Sequence, residues 1–205
     1  MIKSVVFDIG NVLADFSWKE MYEAKGLSGE VLDRVAKATV LSPYWKEIDR
    51  GIMTYEEILD QFVGLDSEME SQIRQVLENT HGIVKKREYA ISWIRYLKEI
   101  GLQVYVLSNF GEKVLEDCAD ALDFLPYTDG GIISYREHLI KPQPEIYQLL
   151  LRRYGLNAKE CVFIDDLKEN IEGAKKQGMY GIVFETYEQA IEQLNTLIEN
   201  EKATV

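Results

Sequence analysis

An α/β fold built on a parallel sheet is predicted by three observations. Short apolar runs of strand length alternate with amphipathic stretches of helical length, those stretches close on glycines, and polar residues stand at the carboxyl ends of the runs. The first run, residues 2–7, is read as a strand that ends at Asp8. Residues 15–82 follow with a different texture: strand-like alternation is absent, Gly26, Gly51 and Gly64 punctuate, and helices are expected near 18–25, 30–38, 55–63 and 68–80 from the 3.6-residue apolar period. Alternation then resumes. A helix over 86–100 closed by Gly101 leads to a strand over 103–107, a helix over 111–122 and a strand over 131–134. A helix over 143–154 stopped by Gly155, a strand over 161–164, a helix over 169–177 ended by Gly178, a strand over 181–183 and a helix over 187–199 complete the set. The expected division is a core of residues 1–14 and 83–205 carrying an all-helical insertion, 15–82. The plainer alternative assigns these helices to the outer layer of the core.

Composition narrows the class of function. At 205 residues with 46% hydrophobic content, the chain suits a sizeable core with one modest insertion. A formal net charge of -12 offers no basic field for a nucleic acid or an anionic membrane. An anionic substrate must therefore be held locally, by a cation, backbone amides or a well-placed lysine. Cys118 and Cys161 lack metal-ligand spacing and read as reduced thiols of a cytoplasmic protein. The apolar run before Asp8 is too short for a signal peptide, and no segment approaches the roughly 20 apolar residues of a membrane span.

Four polar groups sit at strand ends. They are Asp8, the pair Ser108-Asn109, Lys141 just before a proline-rich helix start, and the pair Asp165-Asp166. Each has a bland reading: a helix cap for Asp8, for Ser108-Asn109 and for the aspartate pair, and a solvated surface cation for Lys141. In an open parallel sheet, however, the ligand crevice lies outside the carboxyl ends of the strands, where all four would converge. Their chemistry fits one reaction. A carboxylate can attack phosphorus and split a hard hydrolysis into two steps. A divalent cation must then lie between carboxylate and phosphate dianion, and Mg²⁺ suits one or two carboxylates plus phosphate oxygens and waters. Asp8 and Asp166 can supply those ligands with Asp165 close behind; Lys141, the Ser108 hydroxyl and amides near Asn109 can hold the phosphoryl oxygens.

The segments FDIGNVL, VLSN, the lysine of LIKPQPEIY and IDDLKENIEGA resemble, in order and over nearly the whole chain, the four motifs of the haloacid dehalogenase-like superfamily of hydrolases. The resemblance implies a Rossmann-like three-layer core with the first motif on the central strand, and a helical cap over the active site. It implies that Asp8 is the nucleophile and that Asp8, the Gly10 carbonyl and Asp166 hold Mg²⁺, with Asp165 as an outer or alternative ligand. Asn170, Ala174 and Gly178 match the helix after the fourth motif, where small residues allow close packing on the sheet.

One position departs from the pattern. Most phosphatases of this superfamily carry a second aspartate two residues after the nucleophile as general acid and base, and here that position is Gly10. Losing a general acid typically costs about 10²- to 10⁴-fold in rate. The favoured explanation is a substrate with a better leaving group, such as a sugar 1-phosphate. The first motif resembles the branch that includes glucose-1-phosphate phosphatases and is often labelled epoxide-hydrolase-like. The alternatives are a metal-independent 2-haloacid dehalogenase and a non-catalytic binder of phosphorylated ligands. The Asp165-Asp166 pair argues against the first alternative, and the full set of polar groups against the second.

Substrate choice is expected from the cap. Trp45 could stack on a sugar ring while Arg50 or Asp49 bonds hydroxyls, although Tyr44 and Trp45 read equally as the insertion's own core and Arg50 as a helix end. Phe16 and Trp18 could line the entry, and His81 reads as a hinge or capping residue. The expected partner is a small phosphorylated metabolite rather than a nucleic acid or a membrane, met by a monomer or homodimer.

Overall fold

The computed structural model describes residues 1–203, and the side chains of residues 1–200. Among these, seven strands occur: β1 (Ser4–Phe7), β2 (Ala14–Phe16), β3 (Val84–Lys86), β4 (Gln103–Ser108), β5 (Gly130–Ile133), β6 (Cys161–Asp165) and β7 (Tyr180–Val183). Five form one parallel sheet in the order β5-β4-β1-β6-β7, with β1 at its centre. Side chains alternate across it because a strand has a period of two. Val5 and Phe7 of β1, Val104 and Val106 of β4, and Val162 and Ile164 of β6 face one apolar cluster, whereas Val6, Tyr105, Leu107 and Phe163 face another. Both faces are buried, which is why these strands read as continuous apolar runs.

The chain supplies helices to cover both faces. In chain order they are α1 (Trp18–Ala24), α2 (Gly29–Ala38), α3 (Trp45–Arg50), α4 (Tyr55–Leu65), α5 (Glu70–Glu78), α6 (Ala90–Glu99), α7 (Glu112–Asp117), α8 (Ser134–Glu137), α9 (Pro144–Tyr154), α10 (Lys168–Lys176) and α11 (Tyr187–Ala203). Ile146, Tyr147 and Leu150 of α9 and Ile171 and Ala174 of α10 bury against the Val6 face. On the opposite face α6 and α11 are joined to β1 through Trp93, whose ring lies 4.6 Å from that of Phe7 and 5.1 Å from that of Tyr187. Helix ends follow local chemistry: α9 begins on Pro144 and stops at Gly155 in the left-handed region, and Thr54 and Glu57 form a capping box at the start of α4.

Several elements differ from the sequence expectation: β2 enters the stretch expected to be all-helical, and Ser134, expected to end a strand, begins α8. The helix expected over 86–100 begins only at Ala90, and Lys86 belongs instead to β3, which pairs antiparallel with β2 and closes the neck of the helical insertion. Three-residue strands are too short to show a period, and their pairing is a long-range event. The helix expected over 111–122 ends at Asp117 and is followed by a 3₁₀ turn, Ala119–Leu122. Helix α3, only six residues, has no bounds in the sequence expectation, but it ends at Arg50, in keeping with the reading of that residue as a helix end.

The short helix α3 is nevertheless the part of the insertion that docks most intimately on the core. At its end Gly51 adopts φ 68°, and a Cβ there would lie 2.6 Å from the carbonyl oxygen of Tyr135 on α8. Beside it Gly111, at the start of α7, would place a Cβ 2.3 Å from Cγ2 of Ile48. The buried Ser134 hydroxyl donates to the carbonyl of Asp49 at 2.5 Å. Gly51→Ala should therefore lower the melting temperature, since the left-handed backbone alone costs about 1–2 kcal/mol for a side chain, and hydrogen exchange of α3 should accelerate. Unchanged exchange in that helix would contradict the docking geometry.

Candidate active site

The carboxyl ends of β1, β4 and β6 point into one cavity of about 250 Å³, floored by Asp8, Gly10, Lys141 and Asp166 and walled on the insertion side by Trp45 and Asp49. Register explains the convergence. Phe7 is level with Val106 on β4 and Ile164 on β6, so Asp8 and Asp165 leave adjacent strands side by side and Ser108 ends its strand beside them.

Three donors meet one oxygen of Asp8. The Ser108 hydroxyl donates to Oδ1 at 2.6 Å, the amide of Ile9 at 2.7 Å, and the Lys141 ammonium approaches it at 2.8 Å. Lys141 also donates to Oδ2 of Asp165 at 2.6 Å. The lysine is 3% exposed and Asp165 0%, so this is a buried cation shared by two carboxylates rather than a surface pair. Asp165 is saturated further by the amide of Leu167 at 2.8 Å and by the Asn170 amide group at 3.0 Å to each oxygen. Asn109 clamps the main chain of Lys141, accepting from its N–H at 2.8 Å and donating to its carbonyl at 3.1 Å.

Asp166 is held differently. Asn11, a non-glycine residue at φ 55°, donates from Nδ2 to Asp166 Oδ2 at 3.0 Å and accepts from the amide of Phe16 at 3.2 Å. One oxygen each of Asp8, Asp165 and Asp166 lie within 4.8 Å of one another. A set of hard carboxylate oxygens suits Mg²⁺. Because both oxygens of Asp165 already accept hydrogen bonds, Asp8 and Asp166 are the pair better placed to ligate directly.

The electrostatics record the same imbalance. Burial, with the negative charge of Asp165 adding to it, pushes the Asp8 carboxyl up to about 7 despite Lys141 and Ser108. Burial and Asp165 also raise Asp166, against the Asn11 hydrogen bond. For Lys141, burial alone would lower the ammonium, but Asp8 and Asp165 outweigh it and the net direction is upward. Asp49 is raised to about 7, chiefly by burial and then by Asp8.

The structure thus brings together Asp8, Ser108, Lys141, Asp165 and Asp166, and it places Asn109, Trp45 and Phe16 on the cavity. Arg50 does not line it: its guanidinium is engaged by Glu47 at 3.0 Å and Gln143 at 3.4 Å. Trp18 stacks edge-on against Tyr22, and the ring of His81 faces Asp120 at 3.6 Å on the exposed surface. Asp49, the alternative to Arg50 in the sequence reading, does line the cavity, while the orientation of the two aspartates by Asn11 and Asn170 has no counterpart in that reading. Asn11 does stand three residues after Asp8, where a left-handed asparagine is a recognisable turn signal. Gly10 has no steric need to be glycine, since it lies outside the positive-φ region and a Cβ would meet nothing within 4 Å.

A family model for haloacid dehalogenase-like hydrolases matches residues 2–178. The chain belongs to that family. It is similar to a sesquiterpene phosphatase, astK, of Aspergillus oryzae, 26% identical over 183 residues covering 88% of each chain. It also resembles a D-ribitol-5-phosphate phosphatase of Bacteroides thetaiotaomicron, 26% identical over 202 residues covering 92% of each. Its fold matches a HAD family enzyme of Bacteroides thetaiotaomicron crystallised with magnesium and inorganic phosphate, with TM-score 0.70, 22% identity, and coverage of 93% of this chain and 99% of that one. The family chain is a hydrolase, and curated relatives are phosphatases. No helix among the described residues is long and apolar enough to cross a membrane.

Two outcomes follow from the charge arrangement. Lys141→Met leaves two carboxylates buried without their cation and should destabilise the protein by about 3–5 kcal/mol, read as a fall in the urea midpoint. In EDTA, the raised carboxyls Asp8 and Asp49 hold their protons more tightly folded than unfolded, so their contribution is full below 3.8 and lost as pH rises through about 7. The melting temperature should then fall between pH 5.5 and pH 8, by about 2–4 °C for each kcal/mol lost, and fall less in Asp8→Asn. A pH-independent melt would refute this balance.

Proposed function

We propose that this protein is a Mg²⁺-dependent phosphatase that hydrolyses a small phosphorylated metabolite, a sugar phosphate, through a phosphoryl group carried on Asp8. The observation that carries the reading is the convergence of Ser108, Ile9 N–H and Lys141 on a single oxygen of Asp8. One oxygen is thereby immobilised and the other is left as the attacking atom, so the carboxylate is presented rather than merely buried.

Asp8 and Asp166 would hold the metal with the Gly10 carbonyl, with Asp165 as a second-rank ligand behind them. A bound Mg²⁺ supplies the positive charge that lets a carboxylate approach a phosphate dianion. The remaining work belongs to the chain. Asp8 attacks phosphorus and the ester P–O bond breaks; Ser108 and Lys141 steady Asp8 and the phosphoryl oxygens, with Asn109 fixing where Lys141 stands. Water then cleaves the acyl phosphate, releasing inorganic phosphate and restoring the Asp8 carboxylate.

The phosphatase relatives and the magnesium- and phosphate-bound neighbour support this chemistry. Support for a sugar phosphate comes from the cavity: the aromatic rings of Phe16 and Trp45 offer a stacking wall, while Asp15, Asp49 and Asn170 offer hydrogen-bond partners for hydroxyls. The helical insertion then acts as a cap that excludes water from the reacting groups.

A panel of phosphate esters and 2-haloacids, assayed with Mg²⁺ and with EDTA, tests the reading. Metal-dependent phosphate release is expected, and Asp8→Asn should reduce it by roughly 10⁴-fold or more without altering the circular dichroism spectrum. Halide release that survives EDTA would instead establish a dehalogenase, and phospho-ligand binding without turnover a non-catalytic binder.

A further inference from the structure

The geometry points to Asp49, on the inserted helix α3, as the general acid that protonates the leaving oxygen and then the base that activates water, in place of the acid missing at Gly10. This assignment rests on the phosphatase reading above and extends it to the second reactive group.

Elimination narrows the field. The carboxyl groups lining the cavity are Asp8, Asp15, Asp49 and Asp166. Asp8 is the nucleophile. Asp166 sits in the carboxylate cluster with Asp8 and Asp165 and accepts from Asn11. Asp15 is engaged by the Arg87 guanidinium at 2.7 Å and is an acceptor there, not a proton donor. Asp49 remains, and it approaches from the insertion, whereas Asp8 follows the central strand and Lys141 stands in the core loop between α8 and α9 rather than at a strand end.

Its placement is built, not incidental. The amide of Gly111, a core residue, donates to the Asp49 carboxyl, and the fully buried Ser134 donates to its main-chain carbonyl at 2.5 Å while accepting from Phe110 N–H at 2.8 Å. The helix can come this close because Gly51 and Gly111 carry no Cβ where Tyr135 and Ile48 stand. The groups acting on the carboxyl are identified: Asp8 favours its proton, and Lys141 and the Gly111 amide oppose it. Its carboxyl, raised to about 7 by burial first, can both donate and accept a proton near neutrality.

The steps balance. As Asp8 bonds to phosphorus and the P–OR bond breaks, the Asp49 proton passes to the departing oxygen, giving ROH and an Asp49 carboxylate. That carboxylate takes a proton from the water that attacks the phosphorylated Asp8, and phosphate leaves with Asp8 free and Asp49 protonated again. An acid at this position also removes the need for an intrinsically good leaving group, so substrates are not confined to sugar 1-phosphates.

The test compares 4-nitrophenyl, phenyl and benzyl phosphate with Mg²⁺, following release of the leaving group in the first turnover. Asp49→Asn keeps an oxygen acceptor for Gly111 and loses the transferable proton. Benzyl alcohol release should fall about 10²- to 10⁴-fold, whereas 4-nitrophenolate, which needs no proton to depart, should fall less than about tenfold. Because the second step also loses its base, intact-mass spectrometry should show phosphorylated Asp8 accumulating in the variant. Adding Gly10→Asp should restore benzyl alcohol release, since that site has room for a side chain. Equal slowing of all three esters, or no slowing of the benzyl ester, would overturn the assignment. Should the variant fail to fold, a solvent deuterium isotope effect on benzyl alcohol release by the unmutated protein, larger than on 4-nitrophenolate release, takes its place; equal effects would overturn it too. Absence of turnover on every ester in the unmutated protein would instead defeat the phosphatase reading beneath.

Discussion

The buried ammonium of Lys141, 2.8 Å from Asp8 and 2.6 Å from Asp165, is the interaction around which the site is organised. One cation cannot neutralise two carboxylates, and Asp166 stands within reach of both. Asp165 is the better satisfied, since Leu167 and Asn170 complete its acceptors. The deficit therefore falls on Asp8 and Asp166, whose carboxyls are pushed upward. A buried cluster with surplus negative charge favours whatever brings positive charge to it. The cost of holding three carboxylates around one ammonium and the fitness of the cluster for a cation have one cause.

The sheet makes that arrangement possible at little local expense. The three central strands β1, β4 and β6 bury both faces, so their length and register are set by apolar packing, and the polar residue at or after the last apolar position is carried to the rim. The central strand ends in Asp8 and its two neighbours end in Ser108 and Asp165. Stability is thus concentrated in the strands, and chemistry at their ends, where a charged group does not interrupt the core.

The helical insertion plays a complementary part. It contributes little to the charge cluster but supplies Trp45 and Asp49 to the wall of the cavity, positioned by hydrogen bonds that originate in the core. Its most intimate contact with the core runs through two glycines rather than through large apolar side chains, so small changes in backbone at this seam alter what faces Asp8. The glycine in the first motif and the aspartate on α3 are then two halves of one arrangement, in which a function commonly placed on the core strand is placed on the insertion.

Much of this was legible in the amino-acid order. Apolar runs identify the five strands of the main sheet and the groups beside the ends of its central ones, because burial on two faces leaves an unbroken hydrophobic signature that a sequence displays directly. Asp8, Ser108, Lys141, Asp165 and Asp166 could be named from it. The ribbon of β2 and β3, the withdrawal of Arg50 to Glu47, and the hydrogen bonds of Asn11 and Asn170 to the aspartates could not. The ribbon and the Asn11 contact join residues far apart in the chain, 155 positions for Asn11 and Asp166, and partners at such separations leave no periodic trace. Local chemistry determined which groups stand at the ends of the strands; only the folded chain decided which of them share a proton, a cation or a cavity, because that is a matter of distance in space and of water excluded between them.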